Sequence, residues 1–184
     1  MDALIQSFGL VLISEMGDKT QLLALILALR FKKPWTVMAG ILVATIFNHG
    51  LASLAGGWVG SQISEQTLRI ALAVIFFAFA LWMLVPDKLE DDKLQASEQT
   101  NPFLATLVLF FLAEMGDKTQ LATVALGAKF ETPLTVTLGT TMGMLVADGI
   151  AVAFGEKLTA AVPMKVIRLI SAISFAGFGL RIII

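Results

Sequence analysis

No cysteine occurs among the 184 residues, and His49 is the sole histidine. Disulfide scaffolds, thiolate zinc sites, iron–sulfur clusters and Cys nucleophiles are therefore excluded. Charge is scarce too, at 15% of residues against about 25% in ordinary soluble domains. Lysine and arginine (13) nearly balance aspartate and glutamate (14), for a net charge of -1. With no basic block and no aromatic-basic stripe, a nucleic-acid partner is excluded, and so is a disordered chain. What remains is apolar: 57% of the residues, with a mean hydropathy of +0.86. A small soluble domain leaves much of its surface in water and cannot hide such an excess. The composition is that of an integral membrane protein.

A membrane-crossing helix needs about 20 mostly apolar residues. Six such stretches are expected, at 3–30, 34–59, 67–85, 102–129, 133–155 and 163–184. The start, Met1-Asp2-Ala3, lacks the basic n-region of a cleaved signal peptide. Arg30-Phe31-Lys32-Lys33-Pro34 closes the first stretch, and Pro133 and Pro163 stand where later helices should begin. The one substantial polar stretch, Pro86 to Asn101, is acidic and too short to be a domain. The expected fold is an all-α integral membrane protein. Residues 1–85 and 102–184 form two three-helix repeats, joined by the linker 86–101.

The repeat is explicit. A shift of 99 residues lays Glu15-Met16-Gly17-Asp18-Lys19-Thr20-Gln21-Leu22 on Glu114-Met115-Gly116-Asp117-Lys118-Thr119-Gln120-Leu121 without a mismatch. The same shift matches Phe31 with Phe130, Pro34 with Pro133, Thr36 with Thr135 and Gly40 with Gly139. It also matches Gly50 with Gly149, Gly56 with Gly155 and Arg69 with Arg168. Three spans per half is an odd number, so the second half should enter the membrane in the opposite sense. Such inverted repeats place a site near mid-bilayer. Leaving aside the motif lysines, Arg30, Lys32, Lys33, Lys88, Lys93, Lys157, Lys165 and Arg168 fall on one side, against Arg69, Lys129 and Arg181 on the other. The positive-inside rule then puts the linker in the cytoplasm and both termini outside; the expected location is the plasma (inner) membrane.

Glu15, Asp18 and Lys19 lie near the centre of the first stretch, and Glu114, Asp117 and Lys118 near that of the fourth. Each such charge costs roughly 2.5–3.5 kcal/mol to insert, which makes it a functional-site candidate. On a regular helix Glu15 and Asp18 share a face, and Lys19 reaches the Glu15 carboxylate. Gly17 and Gly116 are places where the helix can loosen and free carbonyl oxygens. A buried Glu–Lys pair that merely locks helices is the structural alternative. It leaves unexplained why four carboxylates face only two lysines, a deficit one divalent cation or two protons would fill.

The expected metal ligands are Glu15, Asp18, Glu114, Asp117, Gln21, Gln120 and Asp148, with Lys19 and Lys118 balancing charge and coupling protons. Asn48, His49, Thr20 and Thr119 are candidate supports; His49 and Asp148 are equivalent by the shift and lie at the depth of the motif glutamates. Oxygen ligands suit Mn2+, Ca2+ or Mg2+, whereas Cu+ and Zn2+ prefer thiolate or imidazole. Met16 and Met115 offer softer sulfur, although methionine in a helix more often fills space. Gly56-x-x-x-Gly60 and Gly139-x-x-x-Gly143 read as close-packing motifs.

The doubled Glu-x-Gly-Asp-Lys-Thr motif, three helices per half and the acidic linker resemble the Golgi-type manganese/calcium transporter family, whose small bacterial members include manganese exporters. The resemblance covers essentially the whole chain. It implies cation/proton exchange, with Mn2+ or Ca2+ leaving the cytosol against inward protons and no resident cofactor. It also implies that Glu15, Asp18, Glu114 and Asp117 are the motif acids, and Lys19 and Lys118 the motif lysines. Closely spaced carboxylates cannot all stay ionised when the site is empty, so some carry protons that the ion displaces. Export works against an inside-negative potential at about 2.3 kcal/mol per charge per 100 mV, which favours at least two protons per ion. The partners implied are the lipid bilayer, the ion and protons; oligomeric state is left open, since one chain holds both repeats. Competing readings are export of a basic amino acid, a non-transport membrane scaffold, and an intramembrane enzyme. The enzyme reading has only Ser14 beside Glu15 as nucleophile, and the second copy has Ala113 there.

Overall fold

A computed structural model describes residues 1–86, 101–154 and 164–184. The described chain forms eight helices: α1 (Asp2–Glu15), α2 (Lys19–Phe31), α3 (Pro34–Ser61), α4 (Glu65–Trp82), α5 (Pro102–Glu114), α6 (Lys118–Phe130), α7 (Pro133–Phe154) and α8 (Met164–Ile183). The expected linker, apart from its end residues, lies outside the described residues, as do Gly155, Lys157 and Pro163. Proline opens α3, α5 and α7, where its missing N–H costs no helical hydrogen bond.

Helices α3, α4 and α7 and the stretch Lys165–Ile183 of α8 are long and apolar enough to cross a membrane. The other two expected spans are not continuous. Residues 3–30 divide into α1 and α2, and 102–129 into α5 and α6, each at the motif. The cause is local. Met16 is extended (φ -61, ψ 112), Gly17 has φ +79, and Asp18 is extended again as the N-cap of α2. Met115, Gly116 (φ +76) and Asp117 repeat this. A positive φ is cheap only for glycine, so the sequence Met-Gly-Asp breaks a helix in both halves.

The distribution of side chains is the reverse of a water-soluble protein's. Glu15, Asp18, Gln21, His49, Glu114, Asp117, Lys118 and Asp148 are buried, whereas Leu29, Trp35, Trp58, Val74, Leu81, Leu134 and Ile173 are exposed. An apolar exterior around a polar interior is what lipid demands.

Lipid is as apolar as leucine, so helix association must come from close packing rather than from the hydrophobic effect. The halves interleave accordingly. Helix α1 packs chiefly on α7, and its counterpart α5 on α3; α4 packs on its own counterpart α8. Glycine makes the closest approaches. A Cβ at Gly139 would lie 2.6 Å from the Leu4 carbonyl oxygen, and one at Gly40 would lie 2.8 Å from the Thr106 side chain. Between α3 and α6, a Cβ at Gly56 would collide with the Val124 carbonyl, and one at Gly127 with the Ser53 carbonyl. Helices α4 and α8 instead meet through aromatic rings. Phe76 and Phe175, equivalent positions in the two halves, have centroids 6.0 Å apart, and Phe79 sits edge-on to Phe175.

Gly56→Val is expected to lower stability by about 1–3 kcal/mol through overpacking, read as a shift in denaturant midpoint in detergent micelles. Gly9→Ala, whose added methyl would meet nothing within 4 Å, should instead gain up to about 1 kcal/mol of helix propensity.

Candidate functional site

Each helix break leaves carbonyl groups at the end of one half-helix and N–H groups at the start of the next without helical partners. The chain satisfies several of them with motif side chains. Gln21 Oε1 accepts from Gly17 N–H at 2.8 Å, and Gln120 Oε1 accepts from Gly116 N–H at 2.7 Å. Asp18 and Asp117 are the N-caps of α2 and α6, and Asp117 Oδ2 accepts from Thr119 N–H at 3.5 Å. In each copy Asp followed three residues later by Gln is a capping-box pattern. That spacing is the signal in the sequence for a helix start at mid-span, and reading the motif only for metal ligands overlooks it.

With the helices broken, the expected side-chain pairing changes. Lys19 does not go to Glu15. Its Nζ donates to Asp117 Oδ1 of the other copy at 2.6 Å. Reciprocally, Lys118 Nζ lies 3.6 Å from Asp18 Oδ1. The break turns Lys19 away from the face it would share with Glu15 on a continuous helix. The two copies are thus cross-linked by exchanged ion pairs.

Between them lie the glutamates. Single oxygens of Glu15, Glu114 and Asp117 all fall within 4.8 Å of one another, and all three residues are buried. The equivalent glutamates are treated differently. Glu15 accepts from Thr20 Oγ1 at 2.8 Å and also from Thr119 Oγ1. Both carboxylate oxygens of Glu114 are buried with no hydrogen-bond partner among the described residues. Both threonine hydroxyls therefore serve one of the two glutamates.

The remaining expected residues lie around this centre. Asp148 on α7 is fully buried, has no hydrogen-bond partner among the described residues, and is close enough to Glu15 and Glu114 for their charges to interact. Its equivalent His49, on α3, is also buried, with both ring nitrogens unpaired among the described residues. Asn48 Nδ2 donates to the Phe111 carbonyl at 3.1 Å, and Asn48 Oδ1 accepts from Gln120 Nε2 at 3.3 Å. Gln21 Nε2 donates to the Ala147 carbonyl at 2.8 Å, and Ala147 is the equivalent of Asn48. The glutamines thus tie the broken segments to α3 and α7. Met16 Sδ lies 3.8 Å from Gln21 Nε2, whereas Met115 is more than half exposed. Thr45 and Met144, equivalent positions on α3 and α7, touch at 3.1 Å.

A buried group of carboxylate oxygens this close together, flanked by two lysines, has the donor atoms that a small hard cation requires. The family model described as "Divalent cation/proton antiporter GDT1" matches residues 3–91 and 102–184. The chain belongs to this family of divalent cation/proton antiporters. It is a membrane transporter and not an enzyme. It is 42% identical over 173 residues to a Vibrio cholerae protein named "Putative manganese exporter", covering 94% of this chain and 86% of the relative. GDT1-like protein 4 of Oryza sativa subsp. indica is 31% identical over 204 residues, covering 97% of this chain and 72% of the relative. GDT1-like protein 3 of Arabidopsis thaliana is 29% identical over 204 residues, covering 97% and 69%. No solved structure matches.

The exchanged ion pairs in this antiporter can be tested through stability. Lys118 and Asp18 side chains are each only 4% exposed. Removing one partner of a buried pair should therefore cost about 3–5 kcal/mol. Lys118→Gln is expected to lose that much in denaturant unfolding. The double variant Lys118→Gln with Asp18→Asn should lose less than the sum of the two singles, by a coupling of about 0.5–3 kcal/mol.

Proposed function

We infer that this chain exports Mn2+ from the cytosol in exchange for protons, at one mid-membrane site shared by the two motif copies. The observation that carries this reading is the meeting of Glu15, Glu114 and Asp117 oxygens within 4.8 Å. That spacing suits a bare ion held by several oxygens, not an organic cation such as a basic amino acid. Oxygen donors favour a hard divalent ion, and the name of the Vibrio cholerae relative supports manganese over calcium. Asp18, Gln21, Gln120 and Asp148 complete the acidic and amide surroundings from which the ion draws further ligands or the protons their carriers. Lys19 and Lys118 hold Asp117 and Asp18 in place and offset two of the negative charges.

Transport follows from the charge balance. When the ion leaves, the crowded carboxylates repel and take up protons; when it enters, it displaces them. The unequal threonine bonding supports two exchangeable states. Thr20 and Thr119 serve Glu15 here, and the counterpart state has them serve Glu114, as expected if 1–85 and 102–184 are inverted repeats in six membrane crossings. Arg30, Lys32, Lys33, Lys165 and Arg168 lie toward the linker end, which supports a cytoplasmic linker and external termini.

The test is Mn2+ uptake into inside-out vesicles with an acidic lumen. Uptake is expected to collapse to background with Glu15→Gln or Asp117→Asn, and retention in both overturns the reading. With no membrane potential, each pH unit should raise the limiting accumulation about 100-fold for two protons and tenfold for one. Ca2+ or Mg2+ accumulating ahead of Mn2+ would overturn the ion assignment.

A further inference from the structure

The three cations outside the motif at the end of the molecule that bears both termini are far apart in sequence, yet they meet. Arg69 on α4, Lys129 on α6 and Arg181 on α8 line one cavity of about 400 Å³. Like charges gather at a cost, and Arg181 is near enough to Lys129 for the two to repel. Carboxylates do not neutralise them by contact. Asp2 and Glu65 line the same cavity, but among the described residues none of these five side chains forms an ion pair. Lys129 rests instead against aromatic faces, with Nζ 3.8 Å from the Phe178 ring centroid and 5.2 Å from that of Phe130. Such a contact holds the ammonium without using up its hydrogen bonds to an anion.

Two further features describe the occupant. Gln6 Oε1, in the same lining, is buried without a partner, and an amide can present either its oxygen or its NH2 to a ligand. The rest of the wall is apolar, with Leu68, Leu72 and Ile182 beside the cations. Cations beside apolar side chains in one cavity, at the end of membrane-crossing helices, match an amphiphile rather than a free anion. Arginine and lysine bind phosphate through charge-assisted hydrogen bonds, and the headgroup of an anionic phospholipid carries that phosphate on an apolar body.

We propose that this cavity is a binding site for the phosphate headgroup of an anionic phospholipid, held by Arg69, Lys129 and Arg181 with its acyl chains along the apolar wall. The lipid ties α6, which begins at the motif, to α4 and α8, and it does so whichever ion the motif carries. None of the residues lining this cavity belongs to the proposed ion centre, so its failure leaves that centre untouched.

Native mass spectrometry of the full chain in detergent, titrated with phosphatidylglycerol, phosphatidylcholine or inorganic phosphate, tests this directly. Phosphatidylglycerol is expected to bind at least tenfold more tightly than phosphatidylcholine. Arg181→Gln and Lys129→Gln should each weaken it about tenfold, the loss of one charge-assisted bond, and Arg181→Lys should restore part of it. Equal binding of the two lipids to the unaltered chain overturns the proposal, even if a variant fails to fold. Unchanged affinity in folded variants overturns it as well. Inorganic phosphate that displaces phosphatidylglycerol at equal concentration would show a soluble-anion site, and overturn the lipid assignment.

Discussion

Charge buried in an apolar medium is the constraint on which this structure depends. Four motif carboxylates and Lys118 are buried, and Lys19 is partly buried, among helices that face lipid. Isolated, each charge would be costly to insert. The chain meets the cost by crossing its ion pairs, Lys19 to Asp117 and Lys118 to Asp18. Both aspartates are thereby engaged. The Glu15 and Glu114 carboxyls lie beside one of them, with single oxygens of Glu15, Glu114 and Asp117 within 4.8 Å of one another.

The crossing requires the helices to break, and the break imposes demands of its own. Gly17 and Gly116 supply the positive φ, Asp18 and Asp117 stand at the N-cap positions of the restarted helices, and Gln21 and Gln120 hold the interrupted backbone. Half-helices of 13 or 14 residues are too short to cross a bilayer alone. They depend on close contact with α3 and α7, where glycines at 40, 56, 127 and 139 let backbones approach. That packing is between backbones, whereas the hydrogen bonds to Glu15 come from side-chain hydroxyls.

Much of this was legible in the sequence. The membrane setting followed from composition, and the doubled motif at a 99-residue shift marked the polar centre, its residue types and its net charge. Membership of the divalent cation/proton antiporter family agrees with that reading. One expectation failed at the motif. Lys19 was expected on the Glu15 carboxylate, from a 3.6-residue period carried through Met-Gly-Asp. The loosening expected at Gly17 and Gly116 is a full break, which the capping-box spacing of Asp18 and Gln21 already signalled. The gathering of Arg69, Lys129 and Arg181 had no local signature at all, since these residues come from three different helices.

The sequence alone therefore determined the solvent, the repeat and the inventory of charge, because each is a property of residue types and their order along the chain. Which lysine neutralises which aspartate was decided only by the tertiary structure. Lys19 and Asp117 are 98 positions apart, and no periodicity reaches across that distance. The interleaving of α1 with α7 and of α5 with α3 brings the two breaks face to face. The same packing determined that Glu15 accepts both threonine hydroxyls while Glu114 accepts none. The two copies are identical in sequence, and only their surroundings can make them unequal.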